Sequence, residues 1–221
     1  MAENVTCPQL HDMLAENDCL ENFGGLGVNV YAFVYSDLAN PLEPTEGTNK
    51  YPTFSTSTFK SGKGLYKFEC QDGSQGHSFE SLGFQKGFKQ TVDYVLESVN
   101  AASADIARSI NNLKVGYIIE DGSTNIIVYD KQHYVKYDSG NIKGDSGKKP
   151  EDERVLTLSG VLQPTTWGRY EIPTPEGGWD SLLASKVGGV TGGSDQGDDT
   201  PATQKSQSDS TTTTSGKASG K

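Results

Sequence analysis

The run KVGYIIEDGSTNIIVY, residues 114–129, decides the fold class because it holds two β-rich segments around a tight turn. Lys114 to Glu120 and Asn125 to Tyr129 are rich in β-branched and aromatic side chains, which pack well on a pleated surface. Between them, Asp121-Gly122-Ser123 places a glycine where a tight hairpin needs a positive φ. The stretch therefore predicts an antiparallel hairpin.

The segments on either side of this hairpin predict one strand and one helix before it and one strand after it. Thr91 to Val99 alternates apolar and polar side chains, which is typical of a half-buried strand. Asn100 and Ser103 are candidate N-caps of a helix that ends near Asn112. Apolar residues recur on one face of that helix at Ala102, Ile106, Ile110 and Leu113. Arg154 to Leu162 predicts a closing strand.

The first half of the chain predicts further short strands and almost no helix. Val28 to Tyr35 carries bulky side chains on both faces, so we expect a strand that is covered on two sides or lies at an interface. Asn40 to Pro52 is rich in proline and predicts a loop. A meander follows, with strands predicted at Thr53–Phe59, Gly64–Cys70 and Gly76–Ser81. The fold class is therefore mainly β: an antiparallel β-sandwich or partial barrel flanked by one α-helix.

We divide the chain into four parts by composition. Residues 1–22 predict an N-terminal arm or short helix, and residues 23–162 form the β-sandwich. Residues 163–187 are rich in proline and glycine and predict an extended surface segment, whose aromatic residues pack within the chain or against a neighbouring subunit. Residues 188–221 hold no aromatic residue and predict a disordered low-complexity tail.

The net charge of the chain indicates which partners it can bind. The formal net charge is −10, and the sequence pI is near 4.7. Such a chain lacks the basic footprint that tight nucleic-acid binding requires, although an acidic surface suits DNA that must slide past it; solubility alone is an equally simple explanation. No apolar run approaches the roughly 18 residues of a membrane span, and the first residues lack the pattern of a signal peptide. We expect synthesis in a cytoplasm and no membrane partner.

No set of residues predicts catalysis, a metal or a cofactor. The three histidines lack zinc-site spacing, and phosphate-binding and nucleophile motifs are absent; the histidines are His11, His77 and His133. Carboxylates cluster at Glu120–Asp121 and at residues 151–153, where solvated charge is common. Asp138 to Gly147 lacks the terminal glutamate of an EF-hand and predicts at most a weak cation site. The three cysteines, an odd number without a CxxC pair, disfavour a disulfide framework.

The order of these elements resembles the major tail tube proteins of tailed bacteriophages, especially those of phages of gut Bacteroidetes. The likeness is carried by the strand at Phe88–Val99, the helix at Ser103–Leu113, the run Lys114–Gly122, the Asp138-Ser139-Gly140 loop and the strand Val155–Gly160. This resemblance implies hexameric rings that stack into the tail tube of a virion, with strands of neighbouring subunits joined into an inner barrel. It also implies contacts with other tail proteins, passage of DNA without specific binding, and no enzymatic activity or cofactor.

A physical argument also favours self-association. Strands with bulk on both faces, such as Val28–Tyr35 and Lys114–Glu120, present edges that a monomer must protect. We therefore expect subunit-interface residues at Val30, Tyr31, Phe33, Tyr117, Ile119, Trp167, Tyr170 and Trp179. The alternatives are another virion component, such as a capsid decoration or head-to-tail connector protein, and a carbohydrate-binding β-sandwich. In the second alternative, Trp167, Tyr170 and Trp179 would form a stacking platform.

Overall fold

A computed structural model describes residues 27–97, 99–121, 124–149 and 153–187. Within these ranges, two antiparallel sheets pack face to face, which confirms the predicted β-sandwich. The predicted N-terminal arm and the predicted tail at 188–221 lie outside the described residues.

The strands of the two sheets are interleaved along the chain. The five-stranded sheet has the order β2-β1-β5-β6-β9, and the four-stranded sheet has the order β3-β4-β8-β7. The strands are β1 (Asn29–Val34), β2 (Tyr66–Glu69), β3 (Gly76–Ser81), β4 (Phe88–Leu96), β5 (Val115–Asp121), β6 (Thr124–Val128), β7 (Ile142–Asp145), β8 (Val155–Thr165) and β9 (Tyr170–Ile172). Helix α1 spans Ala101–Asn112 and helix α2 spans Ala184–Val187; short 3-10 turns lie at Tyr35–Asp37, Thr56–Thr58 and Trp179–Leu182.

Helix α1 crosses from the four-stranded sheet to the five-stranded sheet and begins at the predicted cap. The Asn100 side chain accepts a hydrogen bond from the Ser103 amide at 2.9 Å, and the Ser103 hydroxyl accepts one from the Asn100 amide at 2.8 Å. This capping box satisfies two amides that would otherwise lack partners. Ile110 is buried, and Ile106 packs against the core between the sheets.

No helix among the described residues has the length and apolar character that crossing a membrane requires.

The five-stranded sheet is covered on both faces, which explains the two-sided bulk of β1. One face meets the four-stranded sheet through Val30, Ala32, Val115, Tyr117 and Ile119. The opposite face is covered by irregular chain that carries a second, aromatic core. The buried aromatic residues of that core are Tyr31, Phe33, Tyr51, Phe54, Phe59, Tyr129, Tyr170 and Trp179.

Edge-on ring contacts are frequent in the aromatic core. The ring centroids of Phe33 and Phe54 are 5.6 Å apart, and those of Phe54 and Trp179 are 6.1 Å apart, with nearly perpendicular planes in both pairs. Such contacts add to the free energy of apolar burial. Phe33 also lies directly over its cross-strand partner Gly116, where a Cβ would come within 2.5 Å of the ring. The glycine in β5 therefore makes room for an aromatic side chain.

Two predictions about the elements need correction, and one strand was not predicted. Thr53–Phe59 is not a strand; it forms a 3-10 turn at 56–58 and a single bridge at Phe59. Strand β7 was not predicted, because its sequence of alternating charge and glycine has little strand character without its partner β8. Residues 163–187 run partly along the surface, as predicted, but they are not only extended chain: Gln163 to Thr165 end β8, β9 pairs with β6, and Trp179 and Leu182 are buried. The sandwich therefore continues to the end of the described residues.

Candidate assembly surface

Seven of the eight predicted interface residues are buried inside the chain itself. Their relative exposures range from 0% to 3%, so a second copy cannot reach them; they are Val30, Tyr31, Phe33, Tyr117, Ile119, Tyr170 and Trp179. Only Trp167, at 38% exposure, lies at the surface. The prediction is wrong for the seven because bulk on both faces of these strands reflects two internal cores rather than one core and an interface.

The strands chosen as exposed edges are central strands. Strand β1 lies between β2 and β5, and β5 lies between β1 and β6. Their ladders run through pairs such as Tyr31 with Ile118 and Tyr117 with Val128. The edges of the sheets therefore lie on other strands.

The chain itself covers much of the border of the five-stranded sheet. Beside β9, the Tyr51 amide donates to the Glu171 carbonyl at 2.8 Å and the Glu171 amide donates to the Asn49 carbonyl at 2.9 Å. Just before β2, the Leu65 amide donates to the Leu182 carbonyl and the Leu65 carbonyl accepts from the Ala184 amide. These contacts use backbone groups that an unprotected sheet would offer to another chain.

The four-stranded sheet ends in two edge strands, β3 and β7. Within the described ranges, no further strand pairs with the outer side of either one. Residues 78–81 of β3 and residues 143–145 of β7 are exposed. These two edges lie on opposite sides of the sheet, which is the arrangement that sequence reasoning missed.

Alternation along the ladder shows which backbone groups of β3 point to the open side. The amides of Ser159 and Val161 bond to carbonyls on the β7 side, so Gly160 and Leu162 bond to β4. By the same alternation, Thr91 and Asp93 of β4 bond to β3. The backbone groups of His77 and Phe79 therefore point away from the sheet.

A protruding β3–β4 turn, residues 82–87, extends this edge. The Leu82 amide donates to the Gly87 carbonyl at 3.0 Å, and the Lys86 amide donates to the Gly83 carbonyl at 3.1 Å. Phe84 at its tip is 88% exposed. Gln85 has a φ of 58°, the only positive φ of a non-glycine residue in the described part of the chain. Two internal hydrogen bonds thus hold an unusual backbone that presents an aromatic ring to solvent.

Other exposed apolar residues lie beside this turn. Phe79 is 54% exposed; its ring packs edge-on against Phe88 at 6.0 Å and covers the backbone of Gly168. Trp167 lies nearby, because its carbonyl accepts a hydrogen bond from the Gln90 side chain at 2.9 Å, and Gln90 is the cross-strand partner of Phe79. Three of the six large apolar residues that are exposed in the described ranges therefore lie on the β3 side: Phe79, Phe84 and Trp167.

A second apolar surface lies at α1, β1 and β2. A groove of about 270 Å³ runs between helix α1 and the strands β1 and β2. Its walls include Ala32, Val34, Tyr66, Phe68, Ile106 and Leu113. Tyr66 and Leu113, at 41% and 45% exposure, form part of its open side.

The outer face of the four-stranded sheet is largely polar, although Val95 and Val161 also lie on it. Because Gln90, Val92, Tyr94 and Leu96 of β4 point into the core, the intervening residues face outward, and β8 alternates in the same way. The outward residues near the centre of the sheet include Thr91, Asp93, Thr157 and Ser159. At the β3 edge, the Lys89 ammonium and the Glu80 carboxylate form an ion pair at 2.5 Å.

The negative charge is less concentrated in the sandwich than the whole-chain value suggests. Residues 27–187 hold 16 Lys and Arg against 20 Asp and Glu, a net of −4. Residues 1–26 hold five acidic residues and no Lys or Arg, a net of −5. The sandwich is therefore acidic, but half of the net negative charge of the chain precedes it in sequence.

The polar residues considered for chemistry do not converge on one site. His133 pairs with Asp130 at 3.0 Å, whereas His77 bonds to Gln90 and its pKa is lowered mainly by burial. The Arg169 guanidinium binds the Asp121 carboxylate at 2.8 Å. Within the described ranges, no three His, Cys, Asp or Glu side chains come together as metal ligands.

Cys70 is a buried free thiol, and burial raises its pKa to about 11. Such a thiol stays protonated near neutral pH and has little nucleophilic character.

The molecule thus belongs to the class of antiparallel β-sandwich proteins, with a candidate assembly surface at the borders of its smaller sheet. Comparison of the chain with protein-family models, with curated proteins and with solved structures finds no match. The proposed carbohydrate platform also loses its geometric basis, because Tyr170 and Trp179 are buried and only Trp167 is exposed.

Proposed function

We propose that the chain is a structural subunit of a phage tail tube, which self-assembles into stacked hexameric rings through which DNA passes. The single observation that carries the proposal is that, within the part of the chain that the structure describes, both edge strands of the four-stranded sheet, β3 and β7, lack a further partner strand. The resemblance of element order to tail tube proteins supplies the ring, its six-fold symmetry and the inner barrel.

The open edges support assembly between copies for a general physical reason. An exposed strand edge offers unpaired amides and carbonyls to another chain. When β3 of one copy pairs with β7 of the next, two different surfaces meet, and the contact is heterologous. Repetition of one heterologous contact closes into a ring or continues as a filament.

The outer face of the same sheet suits the lining of a channel. Thr91, Thr157 and Ser159 present small hydroxyl groups. The positive charge of Lys89 is balanced by the carboxylate of Glu80, with which it forms an ion pair.

Lys143 and Lys136 also lie on this face, across from Thr157 and Val161, but Asp93 and Asp145 share it. A face of mixed charge attracts phosphate groups less than a uniformly basic one, since nucleic-acid affinity depends on Lys and Arg contacts. DNA would therefore pass such a face without strong binding.

The test is assembly of the purified chain and of an edge variant. We expect rings or tubes in negative-stain electron micrographs of the wild-type protein. His77→Pro should abolish them, because proline removes the amide that points to the open side of β3 while the amides that face β4 remain. Thermal melting shows whether the variant retains its fold.

The matched control is Glu46→Pro, which introduces proline at an exposed turn. The Thr48 amide donates to the Thr45 carbonyl at 3.0 Å, so residue 46 occupies the turn position that proline favours. This variant should assemble as the wild type does. A wild-type protein that stays monomeric at high concentration contradicts the proposal, and trimers or rings without stacking favour another virion component.

A further inference from the structure

We infer that Phe84 at the tip of the β3–β4 turn inserts into the groove between α1 and the β1–β2 strands of a second copy. This inference rests on the proposed self-assembly and names the contact that accompanies pairing of the sheet edges.

The tip has the properties of a preformed aromatic anchor. Phe84 is 88% exposed, so its ring can be buried by a partner without loss of packing in its own chain. The turn is fixed by its internal hydrogen bonds, and Gly87 lies so close to the Thr165 carbonyl that an added Cβ would come within 2.5 Å of it. A rigid aromatic anchor loses little conformational entropy on binding, which favours affinity.

The groove has matching apolar chemistry. Its walls are formed by aliphatic and aromatic side chains, with Tyr66 and Leu113 partly open to solvent. Its volume of about 270 Å³ is of the size that one aromatic side chain and its neighbours can fill. Burial of such a ring is the kind of contact that dominates protein interfaces.

Charge complementarity commits the groove to a second copy of the same chain. Asp105 of α1 lines the groove, and Lys86 follows Phe84 by two residues on the tip. Neither charge forms an ion pair with any residue in the described ranges. A docked tip would bring opposite charges together and add orientation to the apolar contact.

The two surfaces also occupy suitable places in the fold. The tip adjoins Asp130 to His133 and Pro164 to Thr166, on the β6–β9 side of the five-stranded sheet. The groove lies at β1 and β2, the other side of that sheet. In its own chain Phe84 is 88% exposed and does not line the groove, so the contact that we infer runs from one copy to the next.

The experiment compares self-association of four test variants and one control variant with wild type by sedimentation equilibrium. Phe84→Ala should raise the dissociation constant by about 30-fold, as expected for loss of a buried aromatic anchor. Lys86→Glu and Asp105→Lys should each weaken association, and the double variant should recover most of the loss because the charges are exchanged. Val28→Ala is the control, since Val28 is 44% exposed and lies outside both surfaces.

The outcomes separate this inference from the proposed function. If wild type assembles and Phe84→Ala behaves as Val28→Ala does, the insertion is wrong and the tail tube proposal stands. If association depends on Phe84 but micrographs show no rings or tubes, the contact stands and the tail tube proposal fails. A wild-type chain that is monomeric at every concentration overturns both.

Discussion

The two sheets of the sandwich differ in what they leave unpaired. The five-stranded sheet is buried on both faces, and the chain's own backbone covers β9 and the start of β2. Among the described residues, the four-stranded sheet has one solvent face and two edge strands without a further partner strand. If the proposed assembly uses these edges, stability and assembly depend on different sheets of one small fold and can be perturbed separately.

The largest expected effect comes from truncating one aromatic side chain in the aromatic core and one at the tip of the β3–β4 turn. Trp179→Ala in the aromatic core should lower the free energy of unfolding by about 3–5 kcal/mol, the usual cost of removing a buried aromatic side chain. Phe84→Ala should change it by less than about 0.5 kcal/mol, because the ring is exposed in the single chain. Denaturant titration at low protein concentration measures both values.

Similar losses in the two variants would contradict the assignment of stability to the five-stranded sheet. The Trp179 indole nitrogen has no hydrogen-bond partner among the described residues, so the loss measures packing rather than a broken hydrogen bond.

A tyrosine cluster between the sheets gives a second, smaller effect. The hydroxyls of Tyr117 and Tyr137 are 2.5 Å apart, and Tyr94 lies beside them. Burial raises the pKa of Tyr137 to about 12 and raises the pKa values of Tyr94 and Tyr117 well above their usual value. Because the unfolded chain loses these protons near pH 10, stability is complete below pH 10 and falls as the pH rises toward 12 and beyond.

We expect Tyr137 alone to contribute roughly 2 kcal/mol to this loss. Melting temperatures between pH 8 and pH 11.5, with phenolate absorbance recorded in parallel, measure it. Titration of all ten tyrosines near pH 10 in the folded protein would show that the sheets do not exclude water from this cluster.

The smallest effect is expected at the β3–β4 turn. Gln85→Gly should stabilise the chain by up to about 1 kcal/mol, because glycine adopts the positive φ of 58° without the steric cost of a Cβ. Gln85→Ala, which keeps the Cβ, should not. Thermal melts of the two variants distinguish the cases, and a lower melting temperature for Gln85→Gly would mean that the glutamine side chain supports the turn.

Local patterns predicted the elements whose determinants lie close together in sequence. The β5–β6 hairpin follows from Asp121-Gly122-Ser123 between two β-rich runs, and α1 begins at Asn100 as its capping pattern indicates. Strand β4 and its neighbour β8 also follow from alternation. These features depend on neighbours two to four residues away.

The order of strands could not be read in the same way, and the candidate site depends on it. Two-sided bulk in β1 indicates burial on both faces, but only the fold shows that the second cover comes from residues 35–65 and 170–183 of the same chain. For the same reason, the sequence of residues 163–187 did not predict that β9 pairs with β6 or that Trp179 is buried within the chain. The exposed Phe84 was a possible signal in the sequence, since it lies between glycines in a polar turn.

The outward residues of β4 and β8 have an evolutionary consequence. Thr91, Asp93, Thr157 and Ser159 make no contribution to the apolar core beneath them, so exchange among small polar and acidic side chains leaves that packing intact. The charge of the outer face of the four-stranded sheet can therefore change during evolution while the fold beneath it stays the same.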